Sequence, residues 1–231
     1  MSAGIVGVIA NDSARYTLFW TCLDKLELPT GWRKETLIGG DWCGARNALC
    51  QMTLDTQAEW LFFMDDDHAF APNVLNQLLS HEKKLIVPVC TTRSAPFPPV
   101  AFTERVDDTR YLPIYLPGQE ESGLVEIVAA GTAGMLIHKD VLIAVGGPRW
   151  FEYDAASEDL LFCNKAKAEG FDIHVDLSVK IGHITHAVIW PTVHEGEWCV
   201  GASIGSYGAS TNVLLPIEYE EASSPSEKVL V

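Results

Sequence analysis

Basic residues are scarce in this chain: 16 Lys and Arg stand against 31 Asp and Glu, a formal net charge of −15 over 231 residues. Wrapping nucleic acid or lying on an anionic membrane needs clustered Lys and Arg, so the composition argues against both. Glu218, Glu220, Glu221 and Glu227 face only Lys228 near the C-terminus, and the rest of the excess belongs to the body of the chain. That charge fits a cation-dependent cleft and equally fits ordinary solubility. Long apolar runs are also missing. The longest, residues 127–137, is too short to span a bilayer, and the run 4–10 is interrupted too soon, at Asp12, for a secretory signal. The six cysteines, at 22, 43, 50, 90, 163 and 199, form no CxxC pair, so their spacing suggests neither a disulfide framework nor a zinc knuckle. A soluble protein of the reducing cytoplasm is the expectation. No glycine-rich phosphate loop with basic residues follows the first apolar run, and no internal repeat is present.

What is present is a core-forming composition, 48% hydrophobic, enough for one large α/β domain or two small ones. Residues 4–10 read as a buried strand, followed by a helix through Tyr16, Phe19, Trp20 and Leu23 and a short strand at 36–38. Ala45, Leu49 and Met52 share one face of the next helix, leaving Arg46, Asn47 and Gln51 on its other side. Strand 60–64, helix 72–80 and strand 85–89 complete an alternation that implies a mostly parallel sheet. A breaker-rich loop at 94–99 ends this pattern. Short peripheral strands are expected near 100–102 and 111–116, and core-like composition returns over 125–137, where Gly131 and Gly134 suggest a bulge or a close backbone approach. Helices from Lys139 to a Gly-Gly-Pro stop and from Ser157 to Gly170 precede a strand over 171–179. Residues 222–226 read as part of a flexible tail.

The most informative junction is Trp60-Leu61-Phe62-Phe63 running into Met64-Asp65-Asp66-Asp67-His68. A short continuous apolar run reads as a strand buried on both faces, so the carboxylates fall at its C-terminal end, where open α/β sheets bind ligands. Adjacent carboxylates repel, and a hard divalent cation with oxygen ligands is the usual remedy. An acidic loop opening a helix at Pro72 accounts for the triplet equally well.

Three further segments carry chemistry-bearing residues. Ala45-Arg46-Asn47 places a cation and an amide near the same sheet edge, although a solvated helix face explains it as well. Ser157-Glu158-Asp159 opens a helix, where Ser as N-cap and acidic residues on the dipole would suffice. Gly182-His183 follows a strand; a lone His is commonly structural, yet imidazole also ligates manganese beside carboxylates. Trp150 and Phe151 could form an apolar platform for a sugar or could be core. Trp190 and Trp198, in a stretch with His194 and several glycines, could belong to a closing loop.

Taken in order, the early αβ half, the apolar strand ending in Asp-x-Asp, the Gly-containing strand before Val-Gly-Gly, Glu-Asp at a helix start and the late Gly-His resemble the GT-A fold glycosyltransferases. The resemblance is to family 2-like enzymes, including small bacteriophage ones, and covers about residues 4–185. It implies a GT-A (Rossmann-like) α/β single domain over 1–216, with a mostly parallel central sheet and helices on both faces. Within it, about 1–92 would be the nucleotide-binding half and 93–216 the acceptor half, followed by an acidic tail over 217–231. By the same resemblance Asp65 and Asp67 are the paired carboxylates that hold Mn2+ or Mg2+, with Asp66 between them and beside the nucleotide. Arg46 and Asn47 would touch the nucleotide of a nucleoside-diphosphate sugar, a UDP-sugar first among these. Asp159 is the candidate general base with Glu158 beside it, and His183, with His186 as fallback, is the third metal ligand. The extended C-terminal acceptor region of larger members is missing from this sequence. The acceptor therefore stays open among protein, glycan, lipid and a modified nucleic-acid base. A nucleotidyltransferase lacks its phosphate loop here, while a metal-dependent hydrolase and a non-catalytic glycan-binding module remain as rival readings.

Overall fold

The computed structural model describes residues 2–11, 16–93, 96–116, 122–154, 156–204 and 211–216. The chain divides into two compact units, the first comprising residues 1–92 and 97–184, the second 93–96 and 185–231.

In the first unit, β1 (Gly4–Ala10), α1 (Thr17–Lys25), β2 (Trp32–Ile38), α2 (Trp42–Leu54), β3 (Trp60–Asp65), β4 (His68–Ala69), α3 (Val74–Leu79) and β5 (Leu85–Val89) keep the expected alternation. They are followed by β6 (Ala101–Arg105), β7 (Tyr111–Pro113), β8 (Leu124–Ile127), β9 (Ala129–Ala130), β10 (Leu136–His138), α4 (Lys139–Val145), α5 (Glu158–Ala168), β11 (Ile173–Lys180) and β12 (Gly182–His183). Seven strands form the central sheet in the order β2-β1-β3-β10-β5-β11-β8. The pairs β1/β2, β1/β3 and β5/β11 are parallel, whereas β10 runs against both its neighbours and β8 against β11. The core-like run 125–137 is thus three short strands and a loop, and its last strand enters the sheet reversed.

Alternation along β1 shows why helices cover both faces. Ile5 and Ile9 belong to one core cluster with Leu49 and Cys50 of α2, Val141 and Leu142 of α4, and Phe162 of α5. Val6 and Val8 point the other way, onto Phe19 and Leu23 of α1 and Leu75 and Leu78 of α3. A strand buried on both faces must be apolar throughout, which is the pattern read in β1, β3 and β5. Trp150 and Phe151 belong to this core, each 1% exposed. The Trp150 indole N–H donates to the Leu142 carbonyl at 2.8 Å, and Phe151 stacks on Phe162 with ring centroids 4.6 Å apart. They are therefore no sugar platform, because no face of either ring reaches solvent.

The second unit contains a three-stranded antiparallel sheet, β13 (Ala187–His194), β14 (Glu197–Ile204) and β15 (Thr211–Pro216), in chain order. Where a closing loop was expected there is a hairpin whose turn places Glu195 and Gly196 at positive φ. The side chains of Trp190 and Trp198 and the tail from 217 lie outside the described residues. No helix among the described residues is long and apolar enough to cross a membrane.

Candidate functional site

The parallel strands β1, β2, β3, β5 and β11 all point their C-terminal ends to one edge of the sheet, and the sequence delivers its polar residues there. Immediately after β1 comes Asn11, whose backbone N–H donates to Asp66 Oδ2 at 2.8 Å. Beside them a pocket of about 120 Å³ is lined by Ile9, Ala10, Asn11, Gly39, Gly40, Asp41, Trp42 and Asp66. Burial pushes the Asp66 carboxyl above the usual carboxylate range, against the Asn11 bond and with the charges of Asp67 and Asp65 adding to it. Trp42 is half exposed beside the pocket and offers a flat aromatic face.

Helix α2 starts at this edge because Asp41 caps it, accepting from the Gly44 N–H at 2.7 Å. One turn later Arg46 is not on a solvated face. It is 3% exposed, because the α4–α5 side of the fold closes over it. Its guanidinium donates to Glu158 Oε1 at 2.6 Å and Thr132 Oγ1 at 2.7 Å, and pairs with Asp65 Oδ1 at 3.4 Å. Its plane also lies over the Phe151 ring, 5.9 Å from the centroid. One buried cation thus joins the end of β3 to the start of α5. Asn47 is committed to the backbone of Phe151, donating to its carbonyl at 2.8 Å and accepting from its N–H at 2.9 Å.

Asp159 sits in the first turn of α5, where it accepts from the Ser157 hydroxyl and, at 2.8 Å, from the Leu160 N–H. Burial raises its carboxyl above the usual range despite the Ser157 bond, and the neighbouring Glu158 charge acts in the same direction. Gly131 passes close by; a Cβ there would lie 3.4 Å from Asp159 Oδ2 and 2.8 Å from Val100. Gly134 has φ +69 and a Cβ there would lie 2.6 Å from Pro88, so this loop needs glycine for both its turn and its close packing.

The most tightly knit group lies on the other side of the triplet. Strands β4 and β12 pair antiparallel with His68 opposite His183, and their rings are 4.5 Å apart. Asp67 lies between them, Oδ1 at 3.1 Å from His68 Nδ1 and Oδ2 at 3.1 Å from His183 Nε2. His183 Nδ1 is 3.0 Å from the Thr91 carbonyl. Cys90, directly after β5, completes the cluster, and one ligand atom from each of His68, Cys90 and His183 falls within 4.8 Å of the others. Burial alone would raise Asp67, but bonds from His183 and His68 outweigh it and hold its carboxyl well below the usual range. Burial would likewise lower both imidazoles, yet Asp67 and Cys90 push His68 up to about 10 and His183 up to about 9. Burial would raise the Cys90 thiol, and the two histidines more than reverse that. His68 Nε2 is buried without a hydrogen-bond partner.

The structure therefore brings Asp67 together with His183, Asp65 with Arg46 and Glu158, and Asp66 with Asn11 and the pocket. His186 belongs to the second unit. His68 and Cys90 were not among the residues singled out from sequence. Their signal was position: each directly follows a segment that ends at the ligand-binding edge, His68 after the triplet and Cys90 after β5.

Comparison with known proteins bears on the fold. No model of a protein family matches the chain, and no curated protein matches it. Among solved structures, A197 from STIV superimposes with a TM-score of 0.56 at 12% identity, covering 97% of this chain and 99% of that one. GalNAc-T7, solved with UDP, GalNAc and Mn2+, matches with a TM-score of 0.55 at 12% identity, over 84% of this chain and 44% of that one. This chain thus spans less than half of GalNAc-T7. With its seven-stranded mixed sheet covered by helices on both faces, the chain has a GT-A-like α/β fold.

Proposed function

We propose that this chain is a metal-dependent glycosyltransferase that moves a sugar from a nucleoside-diphosphate sugar, in the first instance a UDP-sugar, to an acceptor hydroxyl. The observation that carries this reading is the gathering of Asp65, Asp66, Asp67 and His183 at one edge of a GT-A-like sheet, next to the pocket walled by Trp42. That GalNAc-T7 was solved with UDP and Mn2+ supports the same direction.

In this reading the pocket at the ends of β1 and β2 receives the nucleoside, with the Trp42 ring as a stacking face and the Asn11–Asp66 pair at its rim. Asp65, Asp67 and His183 offer carboxylate oxygen and imidazole nitrogen, a set that suits Mn2+ or Mg2+. Such a cation would neutralise the diphosphate as it leaves. Arg46 holds Asp65 and Glu158 in place, and Asn47 fixes the Phe151 segment behind them. Asp159, its carboxyl raised by burial, accepts the proton of the acceptor hydroxyl; a carboxylate with an elevated pKa is a stronger base for that task. The free thiols at Cys22, Cys43, Cys50, Cys90 and Cys163 suit a reducing cytoplasm.

A thermal-shift panel of UDP, GDP and UDP-sugars, each with Mn2+ and with a chelator, tests the proposal. At a ligand concentration a hundredfold above Kd the native state gains about 2.7 kcal/mol, so UDP should raise the melting temperature strongly in Mn2+ and weakly in chelator. Nucleotide binding indifferent to the cation would remove the metal-dependent reading. Release of free sugar with no acceptor dependence would favour a hydrolase.

A further inference from the structure

We propose that Cys90 is a metal ligand, and that with His68 and His183 it forms a site for a thiophilic, zinc-class divalent cation rather than for the hard cation a carboxylate pair would select. On this inference the ion held by His183 is not the Mn2+ or Mg2+ considered above, and the inference stands whether or not the chain transfers sugar.

The three residues arrive from separate parts of the chain. His68 and His183 are cross-strand neighbours on β4 and β12, and Cys90 follows β5. Their ligand atoms lie within 4.8 Å of one another. Zinc holds imidazole nitrogen at about 2.1 Å and thiolate sulfur at about 2.3 Å in tetrahedral geometry, so two ligand atoms on one ion stand about 3.4–3.6 Å apart, roughly an ångström closer than the outer limit of the spread here. Small side-chain rotations therefore seat a single ion among them.

Two details of hydrogen bonding argue for a cation here. His68 is 2% exposed, its Nδ1 faces Asp67 Oδ1 at 3.1 Å, and its Nε2 is buried with no partner. In the neutral tautomer that donates Nδ1–H to Asp67, Nε2 would present its lone pair to an ion, which is how metal-bound histidines are held, the outer bond fixing the tautomer. At His183 the Nδ1–H donates to the Thr91 carbonyl at 3.0 Å, which fixes the ring so that Nε2, 3.1 Å from Asp67 Oδ2, is the nitrogen that faces the cluster and would bind an ion once its proton is displaced. Three protein ligands leave a fourth position, for Asp67 or for an exogenous oxygen ligand. The sulfur decides the class of ion, since thiolates favour zinc and cobalt and are poor ligands for magnesium.

Cobalt makes the sulfur visible. Metal-free protein kept reduced with a non-thiol phosphine is titrated with Co2+, and absorbance is followed in the near ultraviolet, where thiolate-to-cobalt charge transfer absorbs, and in the visible. The expected result is one equivalent of Co2+ with a charge-transfer band, bleached by Zn2+ and unaffected by excess Mg2+. Cys90→Ser should lose that band, and Cys90→Ser and His68→Ala should each weaken Zn2+ binding by more than the about 10–100-fold that loss of an outer-shell partner costs. The wild-type spectrum tests the idea without any variant: Co2+ bound with no sulfur band, or a band displaced by Mg2+, overturns it. Equal Zn2+ affinity in wild type and in folded Cys90→Ser, judged by far-ultraviolet circular dichroism, overturns it too. A sulfur band in a protein that binds no UDP under any cation would uphold this site and sink the glycosyltransferase reading alone.

Discussion

Arg46 offers the sharpest test of how the edge of the sheet is held together. Arg46→Met keeps the unbranched apolar stem of the side chain and removes the guanidinium, so Asp65, Glu158 and Thr132 lose their shared partner at once. Breaking a buried ion pair by removing one member costs about 3–5 kcal/mol, because the remaining charge stays desolvated. Glu158 and Asp65 keep side-chain exposures of 18% and 15%, so water recovers part of the loss. The lower end, about 3 kcal/mol, is therefore expected. For a chain of this size that corresponds to a melting temperature lower by about 6–12 °C. Calorimetry in chelator reads it without interference from a cation at Asp65. Arg46→Lys should recover only part of the loss, since an ammonium cannot reproduce the planar fork that reaches Glu158 and Thr132 together. Adding Glu158→Gln to Arg46→Met should be partly restorative, with a coupling energy on the order of 1 kcal/mol or more, because one stranded charge is gone. If Arg46→Met shifted stability by less than about 0.5 kcal/mol, as a surface substitution does, or if the two changes were simply additive, the argument that this cation clamps β3 to α5 would be wrong.

Two further expectations follow from the same structure. Asp159→Asn preserves size and the bond from the Leu160 N–H but cannot take a proton, so transfer to an acceptor should fall about a hundredfold or more while UDP-sugar affinity stays near wild type; unchanged turnover would leave Asp159 as a helix-dipole residue only. Asp176 is buried, and although burial alone would raise it, bonds from Ser178 and His81, the latter at 2.6 Å, hold its carboxyl below the usual range. A carboxyl depressed in the folded state contributes stability above its unfolded value of about 3.9 and loses it as pH falls through the lowered folded value. The stability gap between wild type and Asp176→Asn should accordingly be wide at neutral pH and narrow below about pH 4; an equal gap at pH 7 and pH 3 in urea denaturation would refute it.

Much of the architecture was legible along the chain because each of its signals is local. The two-faced apolar runs of β1, β3 and β5 and the polar start of α5 depend on neighbours a few residues away. Their alternation is enough to imply an α/β sheet with carboxylates at its ligand-binding edge. Tertiary structure decided the rest. Periodicity put Arg46 on the outer side of α2, but which side is outer depends on what packs there, and α5, more than a hundred residues later, brings Glu158 onto it. Trp150 and Phe151 left a platform open beside the commoner core role until α4 and α5 closed over them. The run 125–137 has strand-like composition throughout, yet only long-range pairing could break it into β8, β9 and a reversed β10. Cys90 and His68 show the limit most plainly. A thiol after one strand and an imidazole after another carry no local mark of each other, and His183 lies 115 positions beyond His68. They become one cluster because β4 pairs with β12 beside the end of β5, and such pairing is set by the free energy of the whole folded sheet rather than by any segment within it.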